Sequence, residues 1–301
     1  APPGGFQALS GGPPRVANPI DEVRAFTPTS ERLPVADFPQ FESWAAADYT
    51  DVTGRLVAVE GALAAAATHV DDGYQRLGRT FDLTGVAAAD APRFEAQIAY
   101  DTEEGYDNVI VEVRPAGSDD WTTLPDLNGN TSTAVPTECE AGFYMGEHAQ
   151  LEHYLTLGDP CLPTGTTGQW NSFTGASGGW IPVAFDLSAY AGKNIEVVVS
   201  YVTDPSTGGA GLIVDDTRLV VAGAPTQAEG FEAGFGAWSV LGAPDGSPAN
   251  ASDFEIADGL GDVVSVTATP DTLLFGFGLE QLESDAARAD VVARMLAHFA
   301  G

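Results

Sequence analysis

Basic residues are scarce in this sequence, and lysine is almost absent. The 301 residues include 12 Lys and Arg against 43 Asp and Glu, which gives a formal net charge of −31, and Lys193 is the single lysine. Such a charge repels both the phosphates of nucleic acid and anionic lipid headgroups. We therefore expect no nucleic-acid partner and no binding to an anionic membrane surface.

Long apolar runs are also missing. No stretch approaches the ~20 apolar residues that a membrane-crossing helix needs, so no membrane span is predicted. The first residues, Ala1 to Gly5, have neither the basic start nor the apolar stretch of a signal peptide. We expect a mature chain or a piece cut from a longer one.

Cysteine occurs only twice, at Cys139 and Cys161, in one stretch rich in Gly, Pro and Thr. The pair has neither the Cys-x-x-Cys spacing nor the basic neighbour that redox or metal chemistry needs. In an exported protein it predicts a disulfide worth about 3 kcal/mol, with two free thiols as the alternative. The acidic surface with only 18% charged residues favours a secreted, extracellular protein over a salt-adapted one.

Catalytic motifs are absent too. The four histidines are His69, His148, His153 and His298, and none begins a known zinc-peptidase motif. The nearest pattern runs from His148 to Glu152 and His153, with one residue too many for the inverted zinc motif. No nucleophile elbow, phosphate loop or dinucleotide fingerprint occurs. The sequence alone therefore predicts no catalytic residue.

Short β-prone runs are what the chain does contain. Turn-forming residues, including 35 Gly and 20 Pro, separate these runs every eight to twelve residues, which is typical of a β-sandwich. In 109–113 and 195–199 apolar residues alternate with a carboxylate, which predicts half-buried antiparallel strands. The predicted strands are 74–82, 93–100, 108–114, 180–186, 195–201 and 211–221.

The fold class predicted is mainly β, an antiparallel jelly-roll sandwich. Residues 1–40 are predicted to form an extended Pro/Gly-rich arm, and 41–222 the sandwich, with a long loop insertion over 115–179. Residues 223–301 are predicted to contain a linker and a small α/β-like segment. The pattern typical of a linker covers residues 222–229. In the α/β-like segment 272–278 reads as an apolar strand, and Ser284 as the cap of a helix with an apolar stripe that includes Val291 and Leu296.

Calcium is the ion that the carboxylates suggest, because hard cations prefer oxygen ligands at loop and strand ends. The candidates are Glu42, Asp107, Asp215 and Asp216. The first and last strands of a sandwich are often neighbours, so Glu42 is expected to meet Asp215 or Asp216 around one ion. The alternative is a set of solvated carboxylates on an acidic protein.

Aromatic residues in and beside the loop insertion suggest a second kind of site. Trp170, Trp180 and Tyr154 are able, if exposed, to stack on sugar rings, as in a carbohydrate-binding module. The alternative, which we favour, is that they pack against the sandwich or a neighbouring domain.

Several segments together resemble a known family. They are 74–84, 100–107, 121–124, 178–180, 186–192 and 214–216, with 165–171 and 276–280 as further matches. They resemble the immune inhibitor A type, MAM-like jelly-roll module found behind secreted bacterial metallopeptidases. The variant most similar follows the catalytic domain of actinobacterial zinc carboxypeptidases of the M14 class.

This resemblance implies a non-catalytic accessory region that stabilises, positions or targets a secreted zinc carboxypeptidase. Zinc and the general base would lie in an upstream domain that this chain does not contain, so no catalytic residue is carried over. Structural calcium would use the positions of Asp107, Asp215 and Asp216. The terminal strand and helix would be the last piece of an α/β domain interrupted by the jelly roll.

The partners implied are the upstream peptidase and α/β domain of the same polypeptide and an extracellular polymer or cell surface. Two other functions remain open from the sequence. One is a carbohydrate- or cell-surface-binding module that acts through Trp170, Trp180 and Tyr154. The other is a structural surface module without a ligand.

Overall fold

The computed structural model describes residues 31–32, 56–137, 139–260, 266–269, 272–275 and 285–300. The chain divides into two compact units, one of residues 39–263 and one that joins 1–38 with 264–301. The strands in chain order are β1 (Glu31–Arg32), β2 (Leu56–Val57), β3 (Ala64–Thr68), β4 (Tyr74–Asp82), β5 (Arg93–Asp101), β6 (Asn108–Pro115), β7 (Thr122–Thr123), β8 (Ile181–Asp186), β9 (Asn194–Val202), β10 (Gly211–Val221), β11 (Ala224–Glu229), β12 (Ser239–Val240), β13 (Glu255–Ala257), β14 (Gly259–Leu260), β15 (Val266–Thr269) and β16 (Thr272–Phe275). The α-helices are α1 (Phe143–Glu147) and α2 (Asp285–Ala300), and short 3-10 helices cover Ala88–Asp90, Ala149–His153 and Ser188–Tyr190.

Two antiparallel sheets form the unit of residues 39–263. The first sheet has the order β13-β3-β10-β5-β8, and β11 also pairs with β10. The second sheet has the order β12-β4-β9-β6-β7, and β14 pairs with β2 in a separate ladder. The predicted mainly β sandwich is therefore confirmed. All six strands predicted from the sequence are present, with ends that differ by at most one residue.

The main core is built from the inward-facing residues of both sheets. Successive side chains of a strand point to opposite faces, so every second residue of β9, beginning at Ile195, belongs to this core. Aromatic rings fill its centre: Phe94 lies 6.0 Å from Phe185 and 5.7 Å from Trp238, measured between ring centroids. Burial of such side chains contributes about 1.5–3 kcal/mol each to folding.

The outer face of the second sheet is covered around β6, where the alternation had predicted a half-buried strand. On β6, Ile110 and Glu112 point away from the main core and yet are fully buried. Residues of the 115–179 insertion cover them and form a second apolar cluster, which includes Tyr154 and Trp170. The alternating pattern remains correct for the direction of the side chains. It missed the covering because the residues that cover β6 are distant in sequence.

The insertion is held together by covalent and apolar contacts. Cys139 and Cys161 form a disulfide with Cα atoms 6.0 Å apart, and both residues belong to the second cluster. Tyr144 and Met145 of α1 are buried beside them. The long excursion is thus a folded cover on the second sheet.

The stretch predicted as a linker is a strand. β11 pairs with β10 through the two-residue turn Ala222-Gly223, whose φ angles are 50° and 79°. Two successive positive φ values are the mark of the type I′ turns that close two-residue hairpins. β12, β13 and β14 also pair within this unit. The unit extends to residue 263, whereas the sequence predicted that the sandwich ends at residue 222.

The second unit contains β1, β15, β16 and α2. β15 pairs antiparallel with both β1 and β16, so the terminal strand lies in an antiparallel ladder, whereas the sequence suggested the edge of an α/β layer. On α2, Val291 of the predicted apolar stripe is buried, and Leu296 is 66% exposed. Of the predicted arm, Glu31 and Arg32 lie in β1, and the remaining residues fall outside the described ranges. Among the described helices none is long and apolar enough to span a membrane.

Candidate functional site

A pocket of about 420 Å³ lies beside strands of the second sheet. We call it the arginine pocket. Its lining residues are Arg76, Gly78, Arg79, Thr80, Arg114, Trp121, Glu196, Val198, Ala237, Ser239 and Leu241. Three guanidinium-bearing residues and a single carboxylate residue thus line one cavity, in a protein with 12 basic residues in total.

The register of β4, β9 and β6 brings these residues together. Gly78 of β4 pairs with Val198 of β9, and Arg114 of β6 pairs with Glu196. The side chain of Leu241 lies over Gly78, because a Cβ atom built there would come 2.6 Å from Leu241 Cδ1. Because Gly78 has no side chain, Leu241 is able to pack over it and form part of the pocket wall.

Arg114 is fixed in place on three sides. Its Nε donates to the carboxylate of Glu196, and its Nη1 donates to the carbonyl of Ser118 at 2.9 Å. Its guanidinium carbon lies 4.3 Å from the ring centroid of Trp121, within the range of a cation–π contact. These contacts fix the orientation of the Arg114 guanidinium in the wall of the pocket.

Arg76 and Arg79 are less completely paired. Arg76 donates from Nε to the carbonyl of Gly242 at 2.9 Å, and its two terminal nitrogens have no hydrogen-bond partner among the described residues. Arg79 lies on the opposite face of β4, where its guanidinium carbon is 4.9 Å from the ring centroid of Phe81. It is only 8% exposed, and its Nε and Nη1 have no hydrogen-bond partner among the described residues. Burial lowers the pKa of Arg79, and the charge of Glu229 opposes this effect.

A buried carboxylate, Glu112, lies on the outer face of the same sheet. It accepts hydrogen bonds from Tyr74 Oη at 2.9 Å, from Tyr154 Oη at 2.6 Å and from Ser200 Oγ. Burial raises the pKa values of Tyr74 and Tyr154 well above 10, and the charge of Glu112 acts in the same direction. Both hydroxyls stay protonated and donate, so Glu112 is a satisfied structural group that anchors the insertion.

Asp107, a predicted calcium ligand, is buried immediately before β6. It accepts hydrogen bonds from Tyr201 Oη at 3.1 Å and from the amide of Asp204 at 3.2 Å. His69 Nδ1 lies 3.4 Å from its carboxylate. The hydrogen bond to Asp107 raises the pKa of His69 against the opposing effect of burial.

Asp215 and Asp216, on β10 of the first sheet, are also engaged within the protein. The carboxylate of Asp215 accepts hydrogen bonds from the amides of Val59, Glu60 and Asp216, at 2.7 to 3.1 Å. Burial raises the pKa of Asp215. Asp216 forms an ion pair with Arg218 at 2.8 Å.

These carboxylates do not form a metal cage in the described ranges. No group of three or more His, Cys, Asp or Glu side chains is placed there to hold a metal ion. Asp107 directly precedes β6 of the second sheet and Asp215 lies on β10 of the first, and each has its own partners. Glu42, the remaining predicted ligand, lies outside the described residues.

The aromatic residues singled out from the sequence are separated and mostly buried. Trp170 and Tyr154 are fully buried in the second cluster, where Trp170 Nε1 donates to the carbonyl of Ala134 at 2.8 Å. Trp180 is half-buried against a different cluster, on the first sheet. Trp170 and Tyr154 offer no ring face to a sugar, and their surroundings match the packing alternative.

Part of this chain is similar in sequence to a known protein. A stretch of 61 residues is 43% identical to the pre-pro-metalloprotease PrtV of Vibrio cholerae serotype O1, in two strains. The match covers 20% of this chain and 7% of that protein, so the chain spans a small part of the relative's length. No protein-family model matches the chain.

The arginine pocket and Glu112 were not found by sequence reasoning. A signal existed, because Arg76, Arg79 and Arg114 lie within strands of a chain that has few basic residues. Bringing them to one cavity requires the pairing of β4 and β6 with β9, and that register is not visible in a single sequence.

Proposed function

We propose that this chain is a non-catalytic accessory module of a secreted metallopeptidase, which it stabilises and positions as part of the same polypeptide. The observation that carries the proposal is the 61-residue similarity to the pre-pro-metalloprotease PrtV. A β-sandwich braced by a disulfide suits a module that must survive outside the cell.

The finer class of the peptidase rests on the sequence resemblance. We propose an M14-type zinc carboxypeptidase as the parent enzyme and a MAM-like jelly roll as the module. Zinc would then belong to the catalytic domain of the parent and not to this chain.

The proposal that this module binds structural calcium also rests on the sequence resemblance. Asp215 already accepts three amide hydrogens and Asp216 is paired with Arg218, so an ion at this position would need Glu42 or backbone carbonyls in addition. Thermal unfolding with millimolar calcium and with chelator tests this part. A higher melting temperature with calcium is expected, and identical melting curves would remove calcium from the account.

The non-catalytic claim is tested with the purified chain. We expect no hydrolysis of casein and no release of C-terminal amino acids from peptides, with or without added zinc. Zinc-dependent hydrolysis would contradict the proposal. Loss of that activity in a variant with both His148→Gln and His153→Gln would then assign it to the only sequence segment that resembles a zinc motif.

A further inference from the structure

We propose that the arginine pocket binds a carboxylate group of a peptide. This inference is independent of the parent enzyme and concerns the cavity formed by β4, β9, β6 and the segment around Leu241. The carboxylate belongs either to the C-terminus of a peptide or to an Asp or Glu side chain. Both present the same planar anion to the pocket.

The unused hydrogen-bonding capacity of Arg76 is the first support. A guanidinium group whose donors are not used by the protein is able to form charge-assisted hydrogen bonds to an anionic ligand. Arg76, on the pocket face of β4, pairs only its Nε among the described residues, so its two terminal nitrogens keep unused donors there. An anionic ligand in this cavity would supply the missing acceptors.

Charge is the second support. Acidic side chains outnumber basic ones by more than three to one in this protein, so internal carboxylates are abundant partners for any arginine. Arg93 and Arg218, for example, share Glu95 on the first sheet. Of the pocket arginines, only Arg114 has a carboxylate partner in the lining, Glu196. The lining therefore keeps an excess of positive charge.

The size and charge of the pocket favour a single carboxylate. A guanidinium offers two parallel donors that match the two oxygens of a carboxylate. Glu196 in the lining and the net charge of −31 repel ligands with two or more negative charges. Trp121, Val198 and Leu241 give apolar walls for the hydrocarbon part of a residue, and about 420 Å³ accommodates a group of that size.

The test is calorimetric titration of the protein with three tripeptides. They are acetyl-Ala-Ala-Leu with a free C-terminus, the same peptide with an amidated C-terminus, and amidated acetyl-Ala-Glu-Leu. We expect the first or the third to bind at least about tenfold more tightly than the amidated neutral peptide, a difference of about 1.4 kcal/mol. The first result assigns a C-terminal carboxylate and the third a side-chain carboxylate.

Variants locate the binding. Arg76→Met is expected to weaken binding of the carboxylate peptide at least about tenfold, and Arg76→Lys, which keeps the charge without the fork, to give an intermediate loss. Arg93→Gln, a paired arginine on a strand of the first sheet, is the matched control and should leave affinity unchanged. Melting curves verify that each variant is folded.

Gly78→Ala is a second probe that changes no charge. Its Cβ would meet Leu241 Cδ1 at 2.6 Å, so the flexible Leu241 side chain must shift at the wall of the pocket. We expect weaker peptide binding from this variant as well. The proposal is overturned if neither carboxylate peptide binds better than the neutral one, if Arg76→Met and Arg93→Gln act alike, or if inorganic phosphate binds more tightly than either peptide.

Discussion

The hydroxyl of Tyr154 donates a 2.6 Å hydrogen bond to the carboxylate of Glu112, in the interior between β6 and the insertion of residues 115–179. Glu112 also accepts hydrogen bonds from Tyr74 and Ser200, so three hydroxyl donors compensate for one buried charge. This contact connects the second sheet to the cover that shields its outer face.

Removing the Tyr154 hydroxyl should destabilise the fold. Tyr154→Phe keeps the packing but deletes the hydrogen bond to the buried carboxylate, worth about 2 kcal/mol, and the weaker one that the hydroxyl accepts from Gln150 Nε2. Denaturant unfolding of the variant measures the loss. Tyr190→Phe is the control, because the half-buried Tyr190 hydroxyl has no hydrogen-bond partner in the described residues and its removal should change the unfolding free energy little. Equal losses of unfolding free energy in the two variants would contradict the prediction that the hydrogen bond to Glu112 stabilises the fold.

The Cys139–Cys161 disulfide should stabilise the chain by restricting the unfolded state. The two residues are 22 positions apart, and closing a loop of that length corresponds to about 3 kcal/mol. The double variant with Cys139→Ala and Cys161→Ala should lose about this amount in denaturant unfolding. Because both cysteines are buried, a reductant should cleave the native bond only under conditions that open the insertion. An unchanged unfolding midpoint in the double variant would contradict this prediction.

Acid should destabilise the fold through His148. Burial lowers the pKa of this side chain from 6.5 to about 4, while its hydrogen bond to the Thr203 carbonyl opposes the shift. The unfolded chain therefore takes up a proton before the folded one does, and stability is lost as the pH falls from about 6.5 to about 4. The shift corresponds to about 3 kcal/mol.

His148→Gln isolates this effect from the titration of the carboxylates. The variant loses ring contacts with Tyr74 and Tyr144, so it starts less stable at neutral pH. Its further loss of stability between pH 6.5 and pH 4 should be about 3 kcal/mol smaller than in the unmodified protein. His153→Gln, a half-buried histidine of the same segment, serves as the control. Parallel pH profiles for the protein and the His148 variant would exclude His148 as the source.

Salt should stabilise the fold. At a net charge of −31 the folded chain repels itself, and raising NaCl from about 0.01 M to about 1 M shortens the screening length from about 30 Å to about 3 Å. The melting temperature should rise over this range, and KCl should give the same rise. A melting temperature that falls steadily with either salt would contradict the prediction.

The strands were predictable because their signals are local. β4 and β10 have the predicted ends, Tyr74 to Asp82 and Gly211 to Val221, since turn residues flank continuous β-prone runs. β11 was missed because Ala224 to Glu229 lacks apolar alternation, and it is a strand only through its hairpin with β10. Its pairing, not its own composition, determines its structure.

The candidate site was less predictable than the fold. Asp107 and Asp215 were chosen as calcium ligands for their chemistry, and the hydroxyl and amide groups that donate to them come from residues distant in the sequence. Trp170 and Tyr154 were recognised as candidates for stacking or packing, and only the folded insertion shows that both are buried. Arg76 and Arg114 share a pocket because β9 lies between their strands, a relationship set by long-range pairing.

The central claim is that this chain supports a metallopeptidase without catalysing hydrolysis itself. The most direct measurement is the half-life of peptidase activity at elevated temperature for the complete polypeptide, compared with a form that lacks residues 39–263. The account predicts similar initial rates on a small peptide and a clearly shorter half-life for the shortened form. Equal half-lives together with equal rates, or a complete polypeptide without metallopeptidase activity, would contradict it.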